Sequence, residues 1–74
     1  LLAFSRFIRY FRVVARAGSI RRASDVLNVS ASAIDRQILR AEQELQVPLF
    51  ERLPTGLRLT AAGELLMSAS GDWL

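Results

Sequence analysis

Between Ser19 and Leu45 the chain carries two amphipathic segments of unequal length, separated by Asn28-Val29 and each preceded by a serine. This junction restricts the fold more than any other feature. Ser19 is suited to cap a short helix over about Ile20–Leu27, because its hydroxyl can accept from a first-turn N–H that has no intrahelical partner. Ile20, Ala23 and Leu27 share one face of that helix. Asn28 tolerates left-handed φ/ψ, which permits a tight turn. Ser30 then caps a longer helix over about Ala31–Leu45, whose inner stripe is Ile34, Ile38, Ala41 and Leu45. Its opposite side shows Ser32, Arg36, Arg40 and Gln43, flanked by Asp35 and Leu39. Two helices joined by so short a turn form a helix-turn-helix. Ala23 is small where the helices cross, and Val29 is the apolar plug of the turn. Free N–H groups and the positive end of the dipole at Ser30-Ala31 favour an anion such as phosphate.

The flanks fit the same design. A first helix over about Phe4–Ala17 gathers Phe4, Phe7, Ile8, Phe11, Val14 and Ala15 on one arc and Arg6, Arg9, Arg12 and Arg16 on another. Gly18 ends it by accepting a left-handed conformation. The arginine stripe reads first as a solvated face and second as a direct DNA contact. Pro48 ends any helix before it. Leu49-Phe50-Glu51 and Leu57-Arg58-Leu59 then read as two strands about a type I turn, Leu53-Pro54-Thr55-Gly56. Such a hairpin is a wing, with Arg52, Thr55 and Arg58 near its tip and within reach of phosphate or a minor groove. Thr60 caps a fourth helix, with Glu64 in its first turn and Ala62, Leu65, Leu66, Ala69 and Trp73 at helical spacing. Two readings of that helix stay open. Leu65 and Leu66 close the core, or Leu65, Leu66, Ala69 and Trp73 pair with a second copy, since Met67, Ala69 and Trp73 exceed what one small domain covers.

The expected fold is therefore mainly α, a winged helix-turn-helix with a three-helix core, a two-stranded wing and the start of a linker helix. Its domain spans 4–60, with the helix-turn-helix at about 20–39, the wing at about 49–59 and the linker helix from 61 to 74. Composition narrows the functions. With 74 residues, no Cys and no His, the chain has neither a disulfide staple nor the ligands of an ordinary zinc site. No nucleophile–base pair, metal cluster or glycine-rich phosphate loop argues for an enzyme, and no cofactor is expected. No apolar run approaches the roughly 18 residues of a membrane span. Residues 1–40 hold eight Arg against two Asp, whereas residues 41–74 hold two Arg against five acids. A basic first half suits a polyanion, though it also suits an ordinary solvated surface. Beginning at Leu1, the chain reads as a piece of a longer protein.

At this point several runs resemble the LysR family of transcription regulators. They include Tyr10-Phe11, Ala17-Gly18-Ser19-Ile20, Arg22-Ala23-Ser24, Val29-Ser30, Arg36-Gln37-Ile38 and Glu44-Leu45. The run Val47-Pro48-Leu49-Phe50-Glu51-Arg52, followed by Leu57-Arg58-Leu59-Thr60-Ala61-Ala62-Gly63-Glu64, is specific to that family. The resemblance covers about residues 5 to 68. It implies a prokaryotic, cytoplasmic regulator that binds double-stranded DNA as a homodimer or tetramer. A small-molecule effector would act through a C-terminal domain absent from this chain. It also implies DNA contacts at Ser30, Ala31, Ser32, Asp35, Arg36, Arg40, Arg52, Thr55 and Arg58. The family's usual Ser-Gln-Pro-Ala is here Ser30-Ala31-Ser32-Ala33, so a base-reading Gln is missing. Asp35 stands where Ser is usual and is expected to accept from cytosine N4. Leu39 stands at a usually basic position, Ala41 at a usual Leu, and Gln46 at a usual Gly. Two alternatives remain: a winged helix of another bacterial regulator, such as the molybdate-responsive type, or a winged helix that binds only protein.

Overall fold

The computed structural model describes residues 2–71, in which four helices and one hairpin follow in the order α1 (Leu2–Ala17), α2 (Ile20–Leu27), α3 (Ala31–Leu45), β1 (Phe50–Leu53), β2 (Gly56–Leu59) and α4 (Ala61–Ser70). The expected winged helix-turn-helix is thus observed. The boundaries follow the capping chemistry. Gly18 takes φ 68° and its N–H returns to the Val14 carbonyl at 2.8 Å, closing α1. The hydroxyls of Ser19, Ser30 and Thr60 accept from the N–H groups of Arg22, Ala33 and Gly63. Asn28 closes α2 in the left-handed region at φ 56°. Gln46 does the same after α3 at φ 57°.

The core is built around Phe11, which is fully buried. Its ring lies 5.9 Å from that of Phe7 and 5.3 Å from that of Phe50, so α1 and the first strand meet through aromatic contact. Ile8 and Val14 from α1, Ala23 from α2, Ile34 and Ile38 from α3, and Leu49 complete the buried set. Val29 packs against it, as the plug of the turn should. The strands pair antiparallel, Phe50 with Leu59 through Leu53 with Gly56. Both run longer toward the tip than the sequence suggests, because the pairing continues until only Pro54-Thr55 is left as loop. Neither loop residue takes positive φ, in keeping with the expected type I turn. The hairpin is also docked near its tip, where the Leu57 N–H donates to the Gly18 carbonyl at 2.9 Å.

Three expectations need correction. The first helix begins at Leu2, before Phe4, and Phe4 itself is 47% exposed at the end of its arc. Leu45 is 55% exposed, since the core under α3 ends at Ala41, the last residue of that stripe packed against it. In α4 the inward face is Ala62, Gly63, Leu66, Met67 and Ser70, while Leu65 and Ala69 point to solvent. Gly63 sets this rotation. A Cβ there would collide with the Leu49 carbonyl oxygen and crowd the Leu59 side chain. The glycine must therefore face Leu49 and Leu59 at the base of the hairpin, which turns Leu66 and Met67 inward and Leu65 outward. Met67 and Leu66 are partly buried against the core. Trp73 lies outside the described residues.

Gly63→Ala is expected to destabilise the domain by about 1–3 kcal/mol, because the obstacle is backbone. Gln46→Gly is expected to stabilise it by about 0.5–1 kcal/mol, the relief of left-handed strain less the entropy glycine adds to the unfolded chain. Thermal melts check both, at roughly 4–8 °C per kcal/mol for a domain of this size. An unchanged midpoint for Gly63→Ala would contradict the packing described.

Candidate nucleic-acid interface

The exposed side of α3 begins at Ser30. Its Oγ accepts the Ala33 N–H at 3.2 Å and lies 3.4 Å from the Ser32 hydroxyl, so it is engaged in capping before any ligand arrives. Ala31, Ser32, Arg36 and Arg40 are exposed, and Leu39 beside them is 42% exposed. Among the described residues neither Arg36 nor Arg40 is held in an ion pair. The first turn of α3 is open, with short side chains around its free N–H groups.

The wing meets α3 through charge. Asp35, expected to face a base, instead accepts from Arg52 Nη2 at 2.7 Å. On the outer side of the hairpin Arg58 donates from Nε and Nη2 to one oxygen of Glu51, at 3.0 and 2.7 Å. Glu51 and Arg58 are direct cross-strand partners. Both wing arginines thus carry a carboxylate, and Thr55 is exposed at the tip between the strands. All nine expected contact residues lie on α3 or the hairpin, but their positive charge is not evenly available. It is free on α3 and matched on the wing.

Glu42 was not singled out by the sequence reading, yet it positions the wing. Its Oε2 accepts the N–H groups of Leu49 at 2.7 Å and Phe50 at 3.2 Å. These are the donors that the turn through Pro48 leaves without a helical partner. The bond links the last turns of α3 to the first residue of β1, and acceptance by a carboxylate strengthens it. Thr60 adds a second link, donating its hydroxyl to the Pro48 carbonyl at 2.7 Å while its N–H donates to that of Leu49 at 3.0 Å.

The arginine stripe of α1 divides. Arg12 is half-buried and donates from Nη1 to the Met67 carbonyl at 2.7 Å and to the buried Ser70 hydroxyl at 3.1 Å, fastening α1 to α4. Arg9 and Arg16 stay in solvent, as the solvated reading requires. Arg6 turns the other way, toward α3, where an open groove of about 560 Å³ runs between the two helices.

The chain matches the family described as "Bacterial regulatory helix-turn-helix protein, lysR family" over residues 5–64. It is 46% identical over 59 residues to the HTH-type transcriptional regulator BudR of Klebsiella aerogenes, covering 80% of this chain and 41% of BudR. It is 50% identical over 58 residues to the HTH-type transcriptional regulator ClcR of Pseudomonas putida, covering 78% of this chain and 20% of ClcR. Among solved structures it resembles the DNA-binding domain of CbnR in complex with DNA, with a TM-score of 0.86 and 39% identity over 90% of this chain and 77% of that one. It resembles the BenM domain bound to catB site 1 DNA with a TM-score of 0.87 and 29% identity, covering 92% of this chain and 76% of that one. The first curated relatives are longer, and the chain spans 22% and 41% of two of them.

Glu42→Ala is expected to cost about 1–3 kcal/mol for each donor left unsatisfied, with Glu42→Gln recovering part of the loss. Urea denaturation followed by far-UV signal checks this. Midpoints equal to wild type would show that the carboxylate does not hold the strand.

Proposed function

The chain belongs to the LysR family of bacterial helix-turn-helix regulators, and from that membership we propose that it is the DNA-reading domain of a transcription regulator. The observation that carries the reading is the outer face of α3, where Ser32, Arg36 and Arg40 are exposed and both arginines are free of carboxylates. This face enters a major groove. Arg36 is suited to guanine O6/N7 or to phosphate, and Arg40 to phosphate. Ser30 and Ala31 bring the helix terminus against the backbone, whose anionic oxygens accept from the free N–H groups. The likeness to two domains solved with DNA supports this orientation.

Asp35 takes a different role from that expected of a cytosine reader. Its carboxylate is engaged by Arg52, so it acts as a positioning residue that holds the wing against α3. Arg52, Thr55 and Arg58 approach phosphate only as their acidic partners let go, which lowers what the wing adds to affinity. We further propose that two copies associate through the outer face of α4. Leu65, 73% exposed, and Ala69 lie one turn apart there, while Leu66 stays with its own core. Such a dimer sets two α3 helices on successive grooves, about one helical turn or a multiple of it apart. Effector sensing and any tetramer belong to parts of the protein beyond these residues. No helix among the described residues is long and apolar enough to cross a membrane.

Binding-site selection from a randomised duplex tests the reading. It should return a defined half-site, with affinity falling steeply as salt rises. Recovery of no sequence above background would overturn it. On the selected duplex, Asp35→Ser is expected to leave the preferred bases unchanged and to steepen the salt dependence by up to about one log unit per log salt as Arg52 is released to a phosphate. A lost preference for cytosine at one position would instead make Asp35 a base reader. Sedimentation at rising concentration should show association that Leu65→Asp abolishes; a strict monomer in both would end the dimer proposal for this chain.

A further inference from the structure

The groove between α1 and α3 has no assigned role. Its walls include Arg6 and Tyr10 from α1 and Arg36, Gln37, Leu39 and Arg40 from α3. Three arginines line it, and among the described residues no carboxylate does. Among the described residues none of the three arginines is in an ion pair, in contrast to Arg52 and Arg58 on the wing. Like charges are brought together without a counterion from the protein, and the remaining polar groups are a phenol and amides that can donate. Such a site is matched to an anion with several acceptor oxygens and room for forked donors. The groove is also continuous with the outer face of α3, because Arg36 and Arg40 belong to both.

We propose that this groove is a cradle for one phosphodiester of the DNA backbone, at the edge of the major groove that α3 enters, with Arg6 and Tyr10 as contacts outside the helix-turn-helix. The inference rests on the DNA-binding reading. The arrangement supplies from α1 what α3 lacks at Leu39, where an apolar side chain occupies the outer face between Arg36 and Arg40. Arg6 lies across the groove from Leu39 and restores a cation to that side. It also accounts for the split of the α1 arginines, in which Arg12 is spent on α4, Arg9 and Arg16 on solvent, and Arg6 on the groove.

The test uses the 74-residue chain and the duplex recovered by site selection. Arg6→Gln and Arg9→Gln remove the same charge from the same helix, but only Arg6 lines the groove. Arg6→Gln is expected to lower the slope of log K against log salt by up to about 0.9, so that its deficit relative to wild type shrinks by up to about 3.5-fold between 50 and 200 mM salt. Arg9→Gln should keep the wild-type slope. Arg6→Lys, which keeps the charge and loses the fork, should retain the slope and bind more weakly than wild type. A scan of single methylphosphonate substitutions along the duplex should find one position whose neutralisation weakens wild type more than it weakens Arg6→Gln. Equal slopes for Arg6→Gln and wild type, equal losses for the Arg6 and Arg9 variants, or no such position in the scan would overturn the cradle. Absence of salt-dependent binding by wild type would overturn the DNA-binding reading itself. Far-UV melts that match wild type confirm that each variant is folded.

Discussion

The Glu42 carboxylate is the interaction on which the placement of the hairpin depends. After α3 the chain must turn at once into β1, and Pro48 cannot donate. Leu49 and Phe50 would otherwise bring two backbone N–H groups into the edge of the core with no acceptor. One oxygen takes both. With those donors satisfied, Leu49 and Phe50 insert as the buried strand residues that meet Phe11. The start of the hairpin is therefore tied to α3, and Arg52 further along β1 meets Asp35 of the same helix.

Electrostatics then distinguishes two surfaces that composition alone would merge. The excess of arginine in the first forty residues is one number in the sequence and several environments in the fold. Arg12 acts as a hydrogen-bond donor to a helix end, a role in which its charge favours the carbonyls at the C-terminus of α4. Unpaired arginines of α3 and of the flank of α1 facing it line one groove, while those of the hairpin are paired with Asp35 and Glu51.

Much of this was legible before any coordinates. Ser19, Ser30 and Thr60 marked three helix starts because capping is a local bond between a side chain and an N–H three residues on. Gly18 and Asn28 marked two ends because left-handed backbone selects few residue types. What stayed hidden was long-range. Arg12 looks like any exposed arginine until Met67 and Ser70 arrive 55 and 58 residues later. Glu42 looks like a surface acid until Leu49 and Phe50 turn back to it, and Asp35 gains its partner Arg52 from 17 residues away. Hydrophobicity alone leaves the inward face of α4 open at Leu65, whereas the required close approach at Gly63 decides the rotation. Leu45 failed for a related reason: periodicity continues to the end of a helix, but the core beneath it does not.

Thr60 has a consequence of a mechanical kind. Its hydroxyl and its N–H grip the Pro48-Leu49 backbone, and Leu49 is also held by Glu42 of α3. The first turn of α4 is thus two hydrogen bonds from the last turns of α3, bypassing the hairpin loop entirely. A torque applied along α4 is delivered to the base of α3 through this short strut, while the Pro54-Thr55 tip carries none of the load.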